Sequence, residues 1–231
     1  MIPLSDENPV RITPVITYLL IVINVVIFVH EISLTEFELN NFFHLYAVIP
    51  RELSASLSGI PINQPVPEIL TLFTSQFLHG GFMHIGGNML FLWIFGNNIE
   101  ESLGRLKYLI FYLTCGALAG LAHWFFSMNS AVPTVGASGA IAGVMGAYIL
   151  KYPKARILTL IPIGFFLTTV RIPAFFFLGF WFIQQAFNGI VSLDAAANMA
   201  GVAYWAHAGG FVFGAILAPL LGLFDNKNRQ R

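Results

Sequence analysis

Long apolar runs, separated by short clusters of charged and turn residues, set the plan of this chain. Read between those clusters, six segments have the length and apolar character of helices: Ile16 to Val29, Phe82 to Glu100, Leu106 to Phe126, Ala137 to Leu150, Pro173 to Phe187 and Val202 to Leu223. Uncharged apolar runs of roughly 18 residues or more reach the length at which a helix crosses a bilayer. Between the first two segments lies a long acidic connection, Glu31 to His79, with two amphipathic pieces, 36-EFELNNFFHLYAVI-49 and 69-ILTLFTSQFL-78. The pattern predicts an all-α membrane protein, a six-helix bundle forming one domain over residues 1–231. Short tails are expected at about 1–13 and 224–231, the first a cytoplasmic tail and not a removed signal peptide.

Composition agrees with this plan. Hydrophobic residues make up 57% and charged residues 10%, with mean hydropathy +0.76. A soluble domain carries about 25% charged residues, so the surroundings expected here are a lipid bilayer. Net charge is zero, which argues against nucleic acid as a partner. The single cysteine, Cys115, excludes a disulfide framework. Lys and Arg sort by loop: all but Arg51 fall in the two tails, the second loop or the fourth. By the positive-inside rule those loops and both termini are cytoplasmic, and the long first loop faces outward with the third and fifth.

Polar side chains within lipid-spanning helices are costly to bury, and each is therefore a functional suspect. His84 and Asn88, four apart in 84-HIGGN-88, share one face of the second helix. Ser138 opens the fourth helix, and His207 lies near the start of the sixth, in 206-AHAGGFVFG-214. All three helices enter from outside, so Asn88, Ser138 and His207 are expected ~5 to 12 Å below their outer ends. Small residues pair on the same helices: Gly139 with Gly143, Gly136 with Ala140, and Gly210 with Gly214. Such faces would let a serine and a histidine meet.

A serine hydroxyl needs a neighbouring base to become a nucleophile, and histidine suits that task. The tetrahedral intermediate needs donors for its oxyanion, which Asn88, His84 and the Ser138 N–H could supply. No acidic residue lies within a helix at that depth, so a Ser–His dyad is expected in place of a triad. Taken singly, the serine reads as an interhelical hydrogen-bonder and a histidine as a pore lining. Shared depth and shared small-residue faces favour the joint reading. His79, near the water interface, reads as structural support.

Together, 79-HGGFMHIGGN-88, 136-GASG-139 and 207-HAGGFVFG-214 resemble the signature of rhomboid intramembrane serine proteases, and the likeness extends from about Leu70 to Leu217 through 95-FGNNIEESLGRLKYL-109. The resemblance implies a rhomboid-like bundle that cleaves other proteins' transmembrane segments near the outer membrane face. Ser138 would be nucleophile, His207 general base, and Asn88 and His84 part of the oxyanion hole. Gly136 would keep the loop before the serine tight against substrate, with Gly139 and Gly210 as further structural support. No metal or cofactor is implied. A prokaryotic inner membrane, with the site opening to the extracytoplasmic side, is the expected location. Two departures stand out. Family members often carry an aromatic residue four positions after the serine, stacked on the catalytic imidazole, where this chain has Ala142. A Trp-Arg pair common in the first outer loop is missing, and Arg51 follows Pro50.

The rival classes are a transporter or channel and a client-binding protein of the same fold without catalysis. Below Ser138 and His207 the helices turn apolar (Ile141, Met145, Phe211, Ile216), which suits an outward-open cavity better than a pore. Metalloprotease chemistry lacks its His-Glu-x-x-His, and Asp6, Asp194 and Asp225 lie outside the spans. The bulky fifth helix, 175-FFFLGFWFIQQAF-187, is expected to move against the second as a gate, and the loop from Asp194 to Ala203 to cap the cavity. Substrate identity and oligomeric state are not legible in the sequence.

Overall fold

The computed structural model describes every residue except 63, 165, 195–201 and 226–231. Among the described residues it contains nine α-helices and a three-stranded sheet. Six helices match the six apolar segments: α1 (Val15–Glu31), α5 (Phe82–Leu103), α6 (Arg105–Phe126), α7 (Ser138–Lys151), α8 (Ala174–Asp194) and α9 (Tyr204–Leu220). Of these, α6 and α8 are each long and apolar enough to cross a membrane unaided, while α1, α7 and α9 are shorter apolar helices. Helix α8 continues seven residues past the expected end at Phe187, taking Asp194 out of the fifth loop. Of the loop expected to cap the cavity, Asp194 to Ala203, residues 195–201 lie outside the described residues.

Local chemistry fixes the ends. Helix α1 starts after Pro14, and its free N–H groups at Ile16 and Thr17 donate to the buried Glu100 carboxylate at 3.0 and 2.8 Å. A carboxylate at a helix N-terminus satisfies donors that have no intrahelical partner. Gly104, at φ +80°, ends α5 and turns the chain directly into α6. The first loop folds into α2 (Glu36–Tyr46), α3 (Pro50–Leu57), α4 (Glu68–Thr74) and a 3-10 turn over Ser75–Phe77. Thr35 and Glu38 form a reciprocal capping box on α2, and Pro50 occupies the first turn of α3.

The apolar pattern did not foresee the sheet. Strands β2 (Arg156–Ile163) and β3 (Phe166–Pro173) form a hairpin within the fourth loop, closed at Gly164. Strand β1 (Ile2–Asp6), within the supposed tail, pairs antiparallel with β2. Asp6 then accepts hydrogen bonds from Tyr148 of α7 and Asn98 of α5.

Helix α7 is the axis of the bundle, packed by α9, α6, α5 and α8, with α1 outside on α5. Ten consecutive residues of α7, Gly139 to Tyr148, are buried. Against them lie Phe95 and Ile99 of α5, Tyr112 and Cys115 of α6, and Phe211 of α9. A Cβ at Gly210 would strike the Gly139 carbonyl, and one at Gly214 the main chain of Gly143. The expected small-residue faces are thus where α7 and α9 meet. Outward faces are apolar instead of polar: Val22 and Val26 of α1, Phe176, Ile183 and Phe187 of α8, and Ile216 of α9 are all exposed. A surface of that kind belongs in lipid.

Candidate active site

Ser138 is the first residue of α7, and His207 lies in the first turn of α9. The glycine crossing brings their helices close enough that Ser138 Oγ stands 2.8 Å from His207 Nε2. On its other side, His207 Nδ1 lies 2.9 Å from Oε1 of Gln185, a buried residue of α8. The ring of Trp181, also on α8, approaches the imidazole at 5.7 Å between centroids.

His84 and Asn88 both lie on α5. A Cβ added at Gly136 would lie 2.7 Å from His84 Nε2 and 3.6 Å from Ser138 Oγ, so imidazole and hydroxyl flank that glycine. His84 Nδ1 accepts from the Gly80 N–H at 3.4 Å, which leaves Nε2 as the protonated nitrogen turned toward Gly136. Asn88 is 7% exposed, and its Nδ2 has no hydrogen-bond partner among the described residues. A buried amide without an acceptor is costly and calls for a reason. The first N–H groups of α7, including that of Ser138, have no intrahelical acceptor either.

Backbone bonds from the first loop hold the segment before the serine. Gly136 N–H donates to Ser75 O at 2.9 Å, and Thr134 and Val48 pair as an antiparallel bridge. His79 is buried beside His84, its backbone N–H on the Glu31 carboxylate. Burial, then the nearby His84, pushes its imidazole down to about 4, so His79 is neutral. Glu31, last residue of α1 and 2% exposed, is thus held against the backbone of His79. Among the described residues no three His, Cys, Asp or Glu side chains gather as metal ligands.

The geometry is therefore a hydroxyl on an imidazole, the imidazole held from behind by Gln185, and a second imidazole, His84, across Gly136 from the hydroxyl. Residues 66–224 of the chain match the model of the Rhomboid domain. The chain belongs to the rhomboid family. It is thus an integral membrane protein. Among its relatives, Rhomboid protein 1, mitochondrial, of Saccharomyces cerevisiae is 30% identical over 167 residues, 70% of this chain and 44% of that protein. Presenilin-associated rhomboid-like protein, mitochondrial, of Homo sapiens is 28% identical over 159 residues, 66% of this chain and 38% of that one. Rhomboid-like protein 11, chloroplastic, of Arabidopsis thaliana is 30% identical over 162 residues, 68% and 54%. The chain thus spans roughly two fifths to a little over half the length of these relatives. All three are organellar by name and lend no support to the expectation of a prokaryotic membrane.

Sequence reasoning missed Gln185. Its signal was present, since 184-QQ-185 is a polar pair inside an otherwise apolar run; Gln184 is exposed and Gln185 buried.

Proposed function

We propose that this rhomboid chain is an intramembrane serine endopeptidase that hydrolyses peptide bonds in or near transmembrane segments of other membrane proteins. The observation that carries the reading is the 2.8 Å contact between Ser138 Oγ and His207 Nε2 on two helices locked by glycine. In this mechanism the Ser138 hydroxyl gives its proton to Nε2 as Oγ attacks the substrate carbonyl carbon. The negative oxygen that forms is met by the Ser138 N–H, Asn88 Nδ2 and His84 Nε2–H. The imidazolium then protonates the departing amine; water, deprotonated by the same ring, attacks the acyl carbon, and the ring returns that proton to Oγ as the acyl–Oγ bond breaks. The unpartnered Asn88 amide and the Gly136 contact with His84 support these roles.

The wider reading follows the charges. Residues 1–231 form one six-span domain, with α1, α5, α6, α7, α8 and α9 crossing the bilayer and both termini on the Lys- and Arg-rich cytoplasmic side. The site opens to the opposite face. A helical substrate must reach it sideways from lipid and unwind, because irregular backbone is tolerated only where protein or water surrounds it. Helix α8, which packs on α9 and α7 and scarcely on α5, is the gate. A disulfide joining the outer ends of α5 and α8 is expected to stop cleavage; unchanged cleavage in the oxidised protein counts against the gate.

The deciding experiment uses purified wild type and Ser138→Ala with a single-span substrate whose upper helix contains helix-breaking residues. Cleavage by wild type and none by Ser138→Ala is expected, with an isocoumarin labelling Ser138 in the wild type alone. Equal cleavage by both would refute the site, and absence of both cleavage and labelling would favour a client-binding rhomboid.

A further inference from the structure

The face of α8 that meets the rest of the bundle is an apolar stripe with one exception. Phe177 and Leu178 are buried, Trp181 lies against His207, and Phe182 stacks on Phe211. Gln185 continues that stripe, four residues beyond Trp181, and is 7% exposed. An apolar residue would fill the same place, and an amide there needs a partner. Its partner is the Nδ1 of His207, 2.9 Å from Oε1.

We propose that Gln185 is the positioning residue of the dyad, selecting the tautomer and fixing the ring plane of His207. This rests on the Ser138–His207 reading above. With Oε1 as acceptor, the imidazole proton must sit on Nδ1, which leaves the Nε2 lone pair facing the Ser138 hydroxyl. The opposite tautomer would put a proton on Nε2 and leave it unable to receive another. Trp181 limits the tilt of the ring from the same helix. Both supports come from α8, whereas the position four after the serine, Ala142, has no side chain able to stack. The choice of an amide follows from the medium. A carboxylate would orient the ring equally well, but a buried charge costs far more than a neutral amide in a membrane interior.

The test compares wild type, Gln185→Met, Gln185→Leu and Gln185→Glu, each purified in detergent, for kcat and KM on the single-span substrate and for melting temperature. Met keeps the unbranched shape and removes the acceptor; Leu repeats the removal in a second shape should the Met variant not fold. Both are expected to lose kcat by about ten- to hundredfold, less than the roughly 10⁴-fold seen where loss of a carboxylate partner leaves a serine protease's histidine in the wrong tautomer. KM and melting temperature stay near wild type, and Gln185→Glu, which restores an oxygen acceptor, recovers most of kcat. Wild-type kcat in the Met or Leu variant would overturn the proposal, as would equal slowness in Met, Leu and Glu variants, the mark of a packing residue. Failure of the dyad itself is read separately: Ser138→Ala cleaving as fast as wild type would remove the base that Gln185 is said to position.

Discussion

At Gly136 two demands meet in one residue. Its φ of +126° lies where side chains are rarely found, and an added Cβ would press on His84 Nε2. Neither demand concerns the bulk of the fold, so Gly136→Ala is expected to fold and to cleave at least about tenfold more slowly, since a shift of 1.4 kcal/mol in the active arrangement suffices. Rates and melting temperature measured on the same preparation check this; a wild-type rate would show that the loop has room. Ser138, His207, His84 and Asn88 could be singled out because each is a polar oddity in a lipid-spanning run, and Gly136 because it stands in the glycine motif before the serine. Gln185 was not. A glutamine in a membrane helix is a weaker anomaly than a histidine, and only the fold reveals which of two adjacent glutamines faces inward.

Among the elements, the crossing of α7 and α9 does most to form the site. Gly214 meets the main chain of Gly143, and main chain cannot rotate away as a side chain can. Gly214→Val should therefore destabilise the protein by about 1–3 kcal/mol and part the dyad. Gly179→Ala, on an α8 face with nothing within 4 Å, should do neither. Paired melting curves and labelling of Ser138 distinguish the two; equal melting would mean that the helices can slide apart without cost. The six helices could be read from apolar run length, and the crossing from glycine spacing. The hairpin could not. In 156-RILTLIPIGFFLTTVRIP-173 apolar residues crowd both faces, so the two-residue alternation that marks a strand is blurred. The one available warning was length, because a loop of some twenty residues without structure is uncommon.

For the molecule as a whole, pH sensitivity enters through the first loop. Glu68 is 4% exposed, and burial, reinforced by the nearby Glu52, pushes its carboxyl up to about 7 from an ordinary 4.5. Below pH 4.5 folded and unfolded chains both hold that proton. Between 4.5 and about 7 only the folded chain does, so its contribution to stability is lost as pH rises through that window. Glu68→Gln should thus gain melting temperature over wild type progressively from pH 4.5 to 7 and hold a constant lead above it. A lead independent of pH would mean that Glu68 is ordinary. A last consequence comes from the burial of α7. At 14 residues it is about 21 Å long, well short of a hydrocarbon core of roughly 30 Å. Because protein surrounds it, the helix carrying Ser138 has almost no boundary with acyl chains to match. Bilayers of different thickness would tilt or stretch the lipid-facing helices α1 and α8 first. On the proposed endopeptidase reading, the height of Ser138 would be set by the protein and the height at which a substrate presents its peptide bond by the lipid, so membrane thickness would select which bond is cut.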